Sequence, residues 1–65
     1  MNFSSERVQV LMAEKKLSTV SLASKSGLSR PTVTSALKRG TCNPITLGKM
    51  ADGLGVKVAD IIRMD

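Results

Sequence analysis

Histidine is absent from this sequence of 65 residues, which removes the side chain that most often acts as a general base or binds a metal. Nothing in the chain resembles a pair of carboxylates or an activated nucleophile, so we expect no catalytic residues, no metal site and no cofactor. Cysteine occurs once, at Cys42, and the fold therefore has no intrachain disulfide. A lone thiol suits a reducing cytoplasm, and Cys42 is either a redox sensor or an inert loop residue.

Long apolar runs are also missing. No segment approaches the roughly 20 residues that span a membrane, and no signal-peptide core follows Met1. A chain this short buries only about 60% of its unfolded surface, so we expect marginal stability. We predict one domain over residues 1–65, located in the cytoplasm.

Acidic residues are absent from a long central block. Between Glu14 and Asp52 the chain has seven basic residues and no acidic one, and the net charge is +5. Such a block gives a compact domain a positive surface. The charge serves either solubility alone or a surface that contacts nucleic acid.

Residues 19–38 are predicted to form two short helices joined by a tight turn at Gly27, where positive φ is easiest to place. Apolar residues recur with helical spacing on one side of this stretch, while hydroxyls and cations occupy the other. The residues expected to face inward are Leu22, Ala23, Leu28, Val33, Ala36 and Leu37. Because a helix of this kind suits a DNA groove, the pattern predicts a helix-turn-helix.

Three more helices complete the predicted fold, an all-α bundle of five helices. The expected N-caps of the first four helices are Ser4, Ser18, Ser29 and Thr46. The fourth helix is expected to bury Leu47, Met50, Ala51 and Leu54 and to end at Gly55. A short fifth helix is predicted over residues 58–63, with Lys57 as a poor capping residue.

These residues resemble the Cro and phage-repressor type (XRE-like) helix-turn-helix regulators. The resemblance runs from about Glu6 to Ile62, and it rests on the order and spacing of short motifs without gaps. The motifs are Val8…Leu11, Leu17-Ser18, Leu22-Ala23, Gly27-Leu28-Ser29-Arg30, Val33, Asn43-Pro44, Leu47, Met50-Ala51, Leu54-Gly55-Val56 and Ile61-Ile62. The resemblance implies a five-helix domain that binds DNA, usually as a dimer on a two-fold operator, in a bacterial or phage-encoded protein.

The chain departs from the family pattern at two places. Many members pair an arginine in the first helix with a glutamate in the recognition helix, whereas the matching residues here are Met12 and Leu37. Replacing a buried ion pair by two well-packed apolar residues is often neutral or stabilising. Ser26 stands where the family usually has an apolar residue, which predicts weaker packing of the second helix.

The third helix is predicted to place its outer face in the major groove. Arg30, at its N-terminus, is expected to bind a guanine through two hydrogen bonds. Pro31 and the Thr34 methyl are expected to contact thymine methyl groups. Ser35 is expected to donate or accept a hydrogen bond at a base. The simpler alternatives are a solvated charge at Arg30 and helix initiation by Ser29 and Pro31.

Phosphate contacts require hydrogen-bond donors, which set the register of the protein on DNA rather than its sequence preference. The expected phosphate contacts are Thr19, Ser29, Thr32, Lys38, Arg39, Thr41 and Asn43. For Thr41 and Asn43, ordinary loop polarity is the alternative.

The sequence thus predicts a transcriptional regulator of the repressor type that binds double-stranded DNA as a homodimer and needs no small-molecule ligand. A tentative dimer surface near the C-terminus comprises Val56, Val58, Ala59, Ile62 and Met64. Two other functions stay open. One is an antitoxin-like module that binds a protein partner, recognisable by recovery of that partner without DNA. The other is architectural binding, with equal affinity for scrambled DNA.

Overall fold

Four α-helices and a short 3-10 turn form the part of the chain that the computed structural model describes, residues 1–62. The helices are α1 (Ser5–Lys15), α2 (Thr19–Ser26), α3 (Arg30–Arg39) and α4 (Pro44–Leu54), followed by the turn Val58–Asp60. Among these residues no helix is both long and apolar enough to cross a membrane.

Serine side chains cap the first three helices, as the sequence predicts. The hydroxyl oxygen of Ser4 accepts from the Arg7 amide at 3.0 Å, and that of Ser18 accepts from the Ser21 amide at 3.1 Å. Ser29 caps α3 in the same way, through the Thr32 amide at 3.3 Å. Each bond satisfies an amide that has no partner within its helix, so each fixes where the helix begins.

The predicted cap of the fourth helix is wrong. Asn43 caps α4, because its Oδ1 accepts from the Thr46 amide at 2.7 Å, and the helix begins at Pro44. The missing amide of Pro44 costs nothing in the first turn of a helix, and its fixed φ suits that position. Thr46 therefore lies inside the first turn, and its hydroxyl is not needed for capping.

The predicted fifth helix is also wrong, since the described chain has four α-helices and only a 3-10 turn at Val58–Asp60. The Lys57 side chain does not cap this turn, and the Asp60 carboxylate accepts from the Lys57 amide at 3.1 Å instead. After the turn, the chain does not continue as a helix but pairs with the N-terminal segment. The Ser4 amide donates to the Ile61 carbonyl at 2.7 Å, and Phe3 forms an antiparallel bridge with Ile62. The last residue of the predicted helix, at position 63, lies outside the described residues.

The core contains the apolar residues that periodicity places inside. The buried apolar residues are Phe3, Val8, Met12, Leu22, Ala23, Val33, Ala36, Leu47, Met50, Ala51, Leu54 and Ile61. Leu11, Leu28 and Leu37 are partly buried against them. Met12 and Leu37 both belong to the apolar interior, so the place of the family's ion pair is filled by packing.

Residues 1–5 form an N-terminal strap that the sequence does not reveal. Phe3 is almost fully buried, its amide donates to the Gly40 carbonyl at 3.0 Å, and the Ser5 hydroxyl donates to the Leu37 carbonyl at 2.7 Å. Asn2 forms an antiparallel bridge with Thr41. These bonds satisfy carbonyls at the C-terminal end of α3, so the strap holds that end of the helix against the body of the protein.

Helices α2 and α4 pack closely where Ser26 meets Gly53. Ser26 is buried, and its hydroxyl has no hydrogen-bond partner among residues 1–62. A methyl group at Gly53 would clash with this hydroxyl oxygen and would lie only 3.1 Å from Leu22 Cδ1. The close packing of α2 on α4 therefore depends both on the small side chain of Ser26 and on the absence of a side chain at Gly53. A larger apolar residue at position 26 would not fit at this separation of the helices.

We predict opposite effects of alanine at the two glycines of α4. Gly48→Ala should stabilise the protein by roughly 1 kcal/mol, since helix propensity improves and the new methyl group meets no atom within 4 Å. Gly53→Ala should destabilise it by about 1 kcal/mol, because overpacking outweighs the same gain in propensity.

Ser26→Ala should stabilise the protein by about 1 kcal/mol by removing a buried hydroxyl without a partner. Urea unfolding measures all three, and a stabilising Gly53→Ala would refute the close contact.

We also predict that α4 depends on Asn43 rather than Thr46. Asn43→Ala should lower the free energy of unfolding by about 1 kcal/mol, the usual cost of losing a capping side chain. Thr46→Ala serves as the control and should change it by less than about 0.5 kcal/mol. Urea unfolding of both variants without DNA provides the measurement, and equal losses would contradict the assignment of the cap.

Candidate nucleic-acid interface

A three-residue turn fixes α3 relative to α2. Gly27 ends α2 with a φ of 69°, a backbone conformation that residues with a Cβ rarely adopt. The Leu28 amide then donates to the Ala23 carbonyl at 2.9 Å, and Leu28 packs against the core. Ser29 caps the next helix directly. The predicted helix-turn-helix is therefore present, with Val33 and Ala36 of α3 buried.

The opposite side of α3 forms a shallow, open depression, which we call the α3 surface. Its lining residues are Arg30, Pro31, Thr34, Ser35 and Lys38, and all five are exposed. These include the four residues for which the sequence predicts base contacts. The structure thus brings the predicted base contacts together on one face, with a basic side chain at each end.

A second open depression adjoins the α3 surface and lies between α3 and the start of α4. We call it the loop depression, and it shares Pro31 and Ser35 with the α3 surface. Its other lining residues are Thr32, Ala36, Arg39, Thr41, Cys42, Asn43 and Thr46. Four of the predicted phosphate contacts are therefore neighbours there, whereas Lys38 lies on the α3 surface instead.

Several hydroxyl and amide groups near these depressions already hold the fold together. The hydroxyls of Ser29 and Thr32 are hydrogen-bonded to each other at 2.7 Å, and the Asn43 Oδ1 caps α4. The Thr41 hydroxyl donates to the Met1 carbonyl at 2.9 Å. These polar groups have structural roles, so contact with DNA would be an additional role for their remaining donors and acceptors.

The other predicted site residues lie elsewhere. Thr19, the first residue of α2, is half-buried and belongs to neither depression. Of the tentative dimer surface, Val56, Val58 and Ile62 are partly buried against the core, and Ala59 is exposed. Met64 lies outside the described residues.

Cys42 is a free thiol, partly buried at the edge of the loop depression. Burial raises the pKa of this thiol above its ordinary value, and the ammonium group of Met1 only partly opposes the effect. The thiolate is the reactive form of cysteine, so the raised pKa disfavours reactivity at neutral pH. The interpretation of Cys42 as an inert loop residue is therefore favoured over a redox sensor.

Thr46 also lines the loop depression, a position that the sequence does not predict for a residue expected to cap the helix. Since Asn43 is the cap instead, Thr46 lines the loop depression from the first turn of α4. The signal was present in the sequence: Asn43 followed by Pro44 is a typical pair of N-cap and first helical residue.

The charge of this region follows from the sequence. Arg30, Lys38 and Arg39 are exposed on α3, and no acidic residue occurs between Glu14 and Asp52. A positive face of this kind attracts the phosphate backbone of DNA. A family model for the Cro/C1-type HTH DNA-binding domain matches residues 7–65.

The chain belongs to this Cro/C1-type family. No curated protein and no solved structure matches the chain significantly. The family and the geometry agree about the helix-turn-helix: α2, the turn at Gly27 and α3 lie within the matched residues. DNA is therefore a partner of this Cro/C1-type domain.

Proposed function

We propose that the chain is a sequence-specific transcriptional regulator that inserts α3 into the major groove of DNA and represses by occupying its operator. The observation that carries this proposal is the α3 surface, where two cations, two hydroxyls and the Pro31 ring are exposed on the side of α3 opposite its buried residues. Hydrogen-bond donors on such a face fit base edges and phosphates.

Within this proposal Arg30 is the principal base contact. It is the first residue of α3, and helix-turn-helix proteins contact base edges with the N-terminal part of this helix. Its guanidinium matches the O6 and N7 acceptors of guanine, with about 1–3 kcal/mol of discrimination against another base. Pro31, Thr34 and Ser35 contact the neighbouring bases.

The loop depression is the proposed binding site for DNA phosphates. Arg39, Thr32, Thr41 and Asn43 line it next to the bases that α3 would contact. Thr19 and Ser29, at the starts of α2 and α3, are proposed to contact the same backbone from the helix ends. These contacts would set the position of the protein on DNA and give its binding a strong dependence on salt.

We propose further that two copies bind a near-palindromic operator, through a surface that includes Val56, Val58, Ala59 and Ile62. The described protein has principal extents of 29 × 22 × 18 Å. Two such copies side by side are wide enough to place their α3 helices about 34 Å apart, which is one turn of DNA. A footprint of two half-sites at this spacing supports the dimer, and a footprint of one isolated half-site occupied by a single chain contradicts it.

Matched arginine variants test sequence-specific binding. Arg30→Ala should reduce the preference for a selected operator over scrambled duplex by roughly tenfold to a hundredfold, since it removes a base contact. Arg39→Ala, the control, should weaken binding to both duplexes alike and reduce the salt slope by about one unit, since it removes a phosphate contact. Competition titrations at several salt concentrations measure both effects. Equal affinity of the unaltered protein for both duplexes would contradict the proposal.

A further inference from the structure

Lys38 shares the α3 surface with Arg30, although the sequence alone assigns it to the phosphates. The side chains of Arg30, Pro31, Thr34, Ser35 and Lys38 line one depression, whereas the adjacent Arg39 lines the loop depression. The Cα–Cβ bonds of a helix tilt towards its N-terminus, so the Lys38 side chain leaves the backbone in the direction of the end of α3 that is proposed to enter the groove. Lys38 and Arg39 are adjacent in sequence but thus line different depressions.

The chemistry of the α3 surface is restricted. Arg30 and Lys38 carry only hydrogen-bond donors, and the Pro31 ring and the Thr34 methyl group supply apolar contact between them. Donor-only side chains match the O6 and N7 acceptors of guanine, and apolar groups match the C5-methyl group of thymine. The surface is therefore suited to guanine and thymine.

The α3 surface has no amide for a bidentate contact to adenine and no carboxylate for cytosine, while the Thr34 and Ser35 hydroxyls can bond to any base. A bidentate contact to adenine requires an asparagine or glutamine, and the cytosine amino group is read by a carboxylate. The amide side chains of the sequence are Asn2, Gln9 and Asn43. None of them is on α3: Asn2 lies in the strap, Gln9 lies on α1, and the Oδ1 of Asn43 caps α4. No carboxylate occurs between Glu14 and Asp52.

We propose that Lys38 is a second base-reading residue, and that the α3 surface recognises a guanine at each end with a thymine between them. Eight residues separate Arg30 from Lys38, which is about 12 Å along the helix axis at 1.5 Å per residue. At about 3.4 Å per base pair, and because a helix in the groove is inclined to the DNA axis, this distance places the two guanines at most three or four base pairs apart. Thr34 lies midway, beside the thymine. The inference rests on the proposed function and specifies its half-site.

Selection of sites from random duplex DNA tests the role of Lys38. The unaltered protein should enrich two guanines at this spacing. In Lys38→Ala, the preference for guanine over other bases should fall about fivefold or more at one of these two positions. Lys38→Gln should shift that position from guanine towards adenine, because glutamine pairs with adenine. Arg39→Ala is the matched control and should leave every base preference unchanged. Lys38 and Arg39 are both exposed, and circular dichroism verifies that each variant is folded.

Deoxyuridine tests the thymine contact, because it lacks only the C5-methyl group. Replacing the enriched thymine should weaken binding about fourfold, the value of one buried methyl group. Thr34→Ser keeps the hydroxyl and removes the methyl, so this variant should bind the thymine and deoxyuridine duplexes equally. A thymine effect that is unchanged in Thr34→Ser would overturn the assignment of the methyl contact.

The outcomes separate the two proposals. If a motif is enriched but Lys38→Ala weakens all sequences alike and Lys38→Gln shifts no position, Lys38 contacts phosphate and the inference is wrong, while the proposed function stands. If the unaltered protein enriches no motif, both proposals fail. Enriched adenine or cytosine at the contacted positions would also overturn the inference.

Discussion

The close approach of α2 to α4 determines where α3 lies. Ser26 and Leu22 meet the bare backbone of Gly53, so α2 lies closer to α4 than any larger side chain at position 53 would permit. The turn at Gly27 then fixes α3 relative to α2, with Val33 and Ala36 buried. The exposure of the α3 surface follows from this packing, because the buried residues define which side of α3 remains outside.

The N-terminal strap fixes the other end of α3. Ser5 and Phe3 bind the carbonyls of Leu37 and Gly40, while the Ser4 amide binds the Ile61 carbonyl near the end of the described chain. One short segment thus joins the C-terminal end of α3 to the 3-10 turn region, where the dimer surface is proposed. The α3 surface is therefore held at both ends, by the turn at Gly27 and by the strap. A rigid helix loses little conformational freedom on binding, which favours affinity.

Local rules predicted most of the helical structure. Periodicity placed Leu22, Val33 and Leu47 inside, and serine capping gave the starts of α1, α2 and α3. The start of α4 was missed although its signal is local, because Thr46 was preferred to Asn43. The fifth helix and the strap were missed for a different reason. Pairing of Phe3 with Ile62 joins residues far apart in the sequence, and no local pattern encodes such a contact.

The candidate site was predictable to a similar extent. Helical spacing indicated that Pro31, Ser35 and Lys38 face outward, with Thr34 on the flank and Arg30 at the helix N-terminus, and the structure places all five in one depression. It did not indicate that Arg39 lines a second depression, since that depends on where the loop after α3 lies. The path of the loop depends in turn on the Asn43 cap and on the strap.

The central claim is that the outer side of α3, held by α2 and α4, is the surface that contacts DNA. Its most direct test is a titration of isotope-labelled protein with duplex DNA, followed through the backbone amide signals in nuclear magnetic resonance spectra. The account predicts that the largest shifts occur in residues 29–43, while the exposed side of α1 around Gln9 and Ala13 changes little. Largest shifts on α1 or in residues 56–62, with α3 unaffected, would contradict it.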